Sequence, residues 1–193
     1  MNRKILALSI FTTVCTQTYA QSPLYLEVMV GNAEQTEKFE GLSDISADET
    51  SVGFRVGYNI LEYLAVELGY HDYGEADDTV SDGFGGSSDE KIETTSVNFG
   101  LKGILPLTNG FSLNARLGVF QWDYEYNSNS VGFSGSGDDD GTDIYYGIGG
   151  AYQITEVIGL GIEYTVMDHE ASIEGFKFDR ELENIALSLN ISI

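Results

Sequence analysis

The chain is short of cysteine, proline, histidine and positive charge, and each shortage removes a class of function. Its single cysteine, Cys15, falls in the first twenty residues, so the remainder has no disulfide or thiol chemistry to offer. Two prolines in 193 residues argue against a polyproline or linker-rich chain. Nine basic residues stand against 31 acidic ones, for a formal net charge of −22. Such a surface repels nucleic acid and anionic lipid headgroups unless divalent cations intervene. No apolar run of membrane-helix length follows the N-terminus, so a spanning helix is not expected.

What is present begins with a three-part leader. Arg3 and Lys4 form a basic start, Ile5 to Val14 is mainly apolar, and Thr18-Tyr19-Ala20 supplies small residues where a signal peptidase would cut. Residues 1–20 are expected to be a secretory signal peptide and 21–193 one domain, with a buried N-terminal helix as the alternative. Thr12, Thr13 and Val14 before Cys15 do not resemble a lipoprotein processing site. Glycine and tyrosine are abundant after the leader, with 23 and 12 in the whole chain, a composition neither disordered nor helical.

The dominant pattern has period two. Val52, Phe54, Val56, Tyr58 and Ile60 alternate with Ser51, Gly53, Arg55, Gly57 and Asn59, giving a strand with one apolar and one polar face. The same reading gives eight strands: Leu24–Val30, Ser51–Ile60, Leu64–His71, Ser96–Lys102, Phe111–Val119, Ile144–Tyr152, Ile158–Thr165 and Asn184–Ile193. Short links near Leu61-Glu62, Pro106 to Gly110 and Thr155-Glu156 alternate with long ones over about 33–50, 74–91, 127–142 and 168–181. An even strand count with short turns at one end and long loops at the other predicts an all-β, eight-stranded, antiparallel up-and-down transmembrane barrel, apolar faces toward lipid. Periplasmic turns, extracellular loops and a cell outer membrane location follow from that topology. A soluble sandwich or ligand-carrying barrel is the alternative; it would turn the polar face outward.

Charges and aromatics fit the membrane reading. Acids concentrate in the long links, for example Glu34, Glu37, Glu40, Asp44, Asp48 and Glu49, then Glu75, Asp77, Asp78, Asp82, Asp89 and Glu90. Tyr58, Phe111 and Tyr152 near the short turns, with Tyr70, Tyr146 and Tyr164 near the long loops, are expected to form two interfacial girdles. Val56 to Tyr70 aligns weakly with Gly150 to Tyr164, as two hairpins under similar constraints would.

Glu27, Arg55, Glu67, Lys102, Arg116 and Glu163 have the inward parity. In hydrocarbon each would cost several kcal/mol, but inside a narrow barrel they can pair and fill the lumen. A structural network and a gate that opens when the pairs exchange are both compatible with this pattern.

Gly57-Tyr58-Asn59-Ile60-Leu61-Glu62-Tyr63-Leu64-Ala65-Val66-Glu67-Leu68-Gly69-Tyr70, Gly100-Leu101-Lys102 leading to Leu105-Pro106-Leu107-Thr108, Ala115-Arg116-Leu117-Gly118, and Tyr152-Gln153-Ile154-Thr155-Glu156 with Glu163-Tyr164 resemble the transmembrane domain of the OmpA family. The resemblance implies an outer-membrane barrel in which Glu67, Lys102, Arg116 and Glu163 match the family's interior ionic network. It further implies outer-membrane lipid and lipopolysaccharide as surroundings, the barrel-assembly machinery and periplasmic chaperones as partners in biogenesis, a monomer, and no nucleic acid. Two features depart from the family: no peptidoglycan-binding domain is expected after the barrel, so tethering to the cell wall is not implied, and Ile193 stands where an aromatic residue is common.

Three functional classes follow. The leading one is an envelope-supporting barrel with low, gated, porin-like permeability. The second is a surface binding module, an adhesin, receptor or divalent-cation binder acting through its acidic loops. An enzyme is disfavoured: His71 near the outer end of the third strand and His169 in the fourth long link are expected to be solvated rim residues, and catalysis would need a positioned Ser or Asp beside one of them. No cofactor is expected apart from Ca2+ or Mg2+ at the acidic loops. Asp138, Asp139 and Asp140, flanked by Gly137 and Gly141, are the candidate cation ligands, although they lack EF-hand spacing and an acidic solvated loop explains them as well. The Asp82 to Ser88 stretch lacks the Lys and helix of a phosphate cradle.

Overall fold

The computed structural model describes residues 23–38, 45–81, 87–130, 133–173 and 176–193. Eight strands form: β1 Leu24–Lys38, β2 Ile45–Leu61, β3 Leu64–Ser81, β4 Ser87–Pro106, β5 Phe111–Ser130, β6 Phe133–Gln153, β7 Ile158–Ile173 and β8 Phe176–Ser192. Each pairs antiparallel with its chain neighbours, and β8 returns to β1, so the sheet closes into a barrel. The expected leader and the middles of the long links, including Glu40, Asp44 and Asp82, lie outside the described residues.

Alternation sets which side faces out. Ile148 is 66% exposed and Leu187 61%, whereas Arg55 and Glu27 are each 1% exposed. That arrangement inverts a soluble barrel, because the apolar belt is the outside. Each outward face turns polar on leaving the belt, at Asn32, Thr50, Asp72, Thr95, Gln121, Thr142, Asp168 and Glu183. Phe111 and Tyr152 pack at 4.6 Å at the short-turn edge of the belt, and Phe54 and Tyr70 at 5.8 Å on the other side.

The short turn between β4 and β5 is made by chemistry visible in the sequence. Asn109 and Gly110 both take positive φ, 60° and 81°, and the Phe111 amide donates to the Thr108 carbonyl at 3.4 Å. Asn-Gly suits this mirror-image turn, whose twist matches that of the flanking strands.

The long loops require a correction. Most of residues 33–50, 74–91, 127–142 and 168–181 continue as paired strand, with contacts as far out as Glu37 to Ile45 and Ser130 to Phe133. Above the belt no lipid demands an apolar outer face, so pairing persists while the hydrophobic alternation that reveals a strand disappears.

Candidate functional site: a two-level luminal plug

The inward face carries alternately large and very small residues, and this decides how the lumen fills. The Tyr25 ring lies where a Cβ on Gly57 would stand, Tyr145 occupies the space beside Gly100 and Gly118, and Trp122 covers Gly141. The glycines give the aromatic rings room to lie flat along the barrel wall.

The lower level of the plug is ionic. Glu27 on β1 is registered opposite Arg55 on β2, and Lys102 on β4 opposite Arg116 on β5. Two adjacent cations repel, so both lean across the lumen toward acids. Arg116 donates from Nε to Glu67 Oε2 at 2.7 Å, and from Nη2 to Glu27 Oε2 at 2.8 Å and Glu67 Oε1 at 3.1 Å; its Nη1 pairs with Glu163. Arg55 reaches Glu163 at 3.2 Å and Glu27 at 3.4 Å. Lys102 Nζ stands 3.7 Å from both Glu27 and Glu67, and 4.8 Å above the Tyr25 ring centroid. The Tyr25 hydroxyl donates to Glu67, and Thr165 donates to Glu163 at 2.9 Å. Three carboxylates and three cations thus share one buried cluster with formal charges balanced, as desolvated ions require.

On its short-turn side the cluster borders a small polar recess lined in part by Asn114, Ser188 and Asn190. On the other side it is capped by an apolar level absent from the sequence reading: Ala33, Tyr73, Phe120, Trp122, Tyr124, Tyr145, Met167 and Leu182. Trp122 donates from Nε1 to Asp143 at 3.0 Å, while the Tyr73 hydroxyl contacts Ser96 Oγ at 3.1 Å and Met167 Sδ at 3.2 Å. Alternation told which residues face inward, but an aromatic residue on a polar face carries no signal of its own. The signal was the glycine registered across from it, as Gly141 is from Trp122 and Gly118 from Tyr145.

Two expectations change. His71 is not a solvated rim residue: it is 3% exposed, stacked on Tyr73 at 5.8 Å and 13°, inside the lumen. Ser96 is registered opposite it, but the Ser96 hydroxyl donates to Asn98 Oδ1 at 2.7 Å, so no serine–histidine pair forms there. The His169 side chain lies outside the described residues. Asp138, Asp139 and Asp140 stand in β6 instead of in a loop. They are registered opposite Glu125, Tyr124 and Asp123 in turn, so Asp139 takes the opposite face from its neighbours. Among the described residues no group of three His, Cys, Asp or Glu side chains is placed to hold a metal ion.

A closed eight-stranded barrel with an apolar exterior and an ionic interior defines an outer-membrane β-barrel protein. The chain belongs to the family of the OmpA-like transmembrane domain, whose model matches residues 20–192. Among solved structures it is similar to Neisserial surface protein A, with a TM-score of 0.61 at 13% identity over 89% of this chain and 98% of that one. The outer membrane protein OprG of Pseudomonas aeruginosa gives 0.60 at 13% identity, over 90% and 98%. Ail, the attachment invasion locus protein of Yersinia pestis, solved with the heparin analogue sucrose octasulfate, gives 0.56 at 13% identity, over 87% and 99%. At these identities the likeness is one of fold. No curated protein matches the chain by sequence.

Proposed function

We propose that this protein is an envelope-supporting barrel, closed at rest, whose lumen passes small solutes only when its ion pairs change partners. The observation that carries the reading is Arg116, which touches all three luminal carboxylates at once. Guanidinium contacts of this kind are directional and strong, so the resting lumen is filled and held. Lys102 is the movable member: its 3.7 Å contacts are longer than those of the Arg116 Nε and Nη2 groups, and an ammonium on a flexible stem reorients easily.

On this reading residues 1–20 direct export and are removed, periplasmic chaperones and the assembly machinery insert the chain, and it works as a monomer among outer-membrane lipid and lipopolysaccharide. The short turns face the periplasm and the long hairpins the exterior. No catalytic role is assigned.

The second reading, a surface binding module, is favoured by the hairpins themselves, which keep their pairing well past the apolar belt. The sulfated ligand of Ail does not transfer, since acidic hairpins repel sulfate. Cells carrying the full chain and a version with the hairpins trimmed to the belt separate the two. Envelope support predicts equal resistance to detergent in both, whereas a binding module predicts that trimming abolishes surface attachment and leaves no other deficit.

A further inference from the structure

The barrel is closed within the membrane belt but not above it. Pairing of β2 with β3 ends at Val52 and Asp72, and pairing of β6 with β7 ends at Tyr145 and Met167. The other ladders continue, to Lys38 and Asp179 between β1 and β8 and to Ser88 and Ser130 between β4 and β5. The rim therefore divides into two four-stranded sheets, β7-β8-β1-β2 and β3-β4-β5-β6. At one division Gly74, with φ 87°, sits in the register shift of β3 against β4 after Asp72, close beside Glu49 and Thr50 of β2 but outside the β2–β3 ladder.

The longest edge so exposed is that of β6. Among the described residues it has no partner on its β7 side from Phe133 to Ile144. Edges are usually blunted by Pro, Lys or a bulge. This one has no Pro, Lys or Arg, and its pairing with β5 runs without a register shift.

Charge determines which partner fits. Asp140 is registered opposite Asp123 and Asp138 opposite Glu125, and like charges facing across a ladder destabilise it. Asp138 and Asp140 are exposed. A second copy of this edge, or a polyanion, would add repulsion. A strand bearing Lys or Arg would bond the backbone groups left without a ladder partner, replace the Asp139 carboxylate that accepts from the Asp140 amide at 3.1 Å, and neutralise the acids together.

We propose that the β6 edge from Phe133 to Ile144 binds an extended cationic polypeptide segment by strand addition. The inference rests on the surface-binding reading and assigns its edge and partner chemistry.

The test uses the full barrel refolded in phosphatidylcholine vesicles and a ten-residue peptide of alternating Lys and Thr. Amide hydrogen exchange is followed with this peptide and with one of the same sequence N-methylated at every amide. Strand addition predicts exchange slowed at least tenfold at alternate amides of residues 133–144, only with the unmethylated peptide. The exposed pair D138N/D140N should weaken binding severalfold at low salt while leaving exchange within the belt unchanged. Equal binding of the methylated peptide overturns the proposal in favour of simple charge attraction. Protection at β2 or β3 instead overturns the β6 assignment but leaves hairpin recognition standing; no binding of either peptide counts against both.

Discussion

Arg116 and Glu67 form a two-pronged pair in the middle of the lumen, Nε to Oε2 at 2.7 Å and Nη2 to Oε1 at 3.1 Å. Its geometry, two parallel bonds between a planar cation and a planar anion, makes it the least replaceable contact in the ionic level. Arg116→Ala would leave Glu67 buried with longer contacts to Arg55 and Lys102. A loss of about 3–5 kcal/mol in unfolding free energy is expected, from the cost of stranding a buried charge. Lys102→Ala should cost less. Urea unfolding in vesicles checks the order, and equal losses would contradict it.

The glycine slots give a second, graded test. A Cβ on Gly118 collides with the Phe99 carbonyl and the Tyr145 ring, whereas one on Gly103 comes no nearer than 3.8 Å to the Ala115 carbonyl. Gly118→Ala should destabilise by about 1–3 kcal/mol through overpacking. Gly103→Ala should stay within about 0.5 kcal/mol. The same unfolding assay separates them.

The boundary of the membrane belt can be read with single charges. Arg in place of Ile148, which is 66% exposed on the lipid face, should cost about 2–4 kcal/mol. Arg in place of Thr142, the third outward position beyond Ile148 after Tyr146 and Ile144, should cost about 0–1 kcal/mol. Equal costs would show that the belt extends further than the alternation of side chains implies.

Trp122 is the only tryptophan of the chain and is 4% exposed inside the lumen. Its fluorescence should be shielded from iodide added to the water and also from brominated lipid tails. Strong quenching by iodide would show that the apolar level does not seal the hairpin end.

Within the belt the fold was legible because lipid punishes any error of parity: Val52, Phe54, Val56 and Tyr58 had to share a face. The six luminal charges were legible for the same reason, as they had only one side on which to sit. Above the belt the constraint lapses, so Asp138 to Asp140 looked like a loop and proved to be strand. The aromatic level was hidden because Tyr145 and Trp122 owe their places to glycines on neighbouring strands, a relation across the sheet that no single strand displays. His71 was misplaced on similar grounds, since a position near the outer end of its strand does not reveal how tightly the lumen is filled there.

If the resting lumen is filled and Lys102 is its movable part, the two states of the barrel differ in conductance. Planar-bilayer recording of the refolded barrel, with Lys102→Ala beside it, tests this directly. A filled lumen gives no sustained current from the unaltered protein, at most rare small openings, and their frequency or size changes in the variant. A steady ohmic conductance in the unaltered protein, or openings identical in the two, would contradict it.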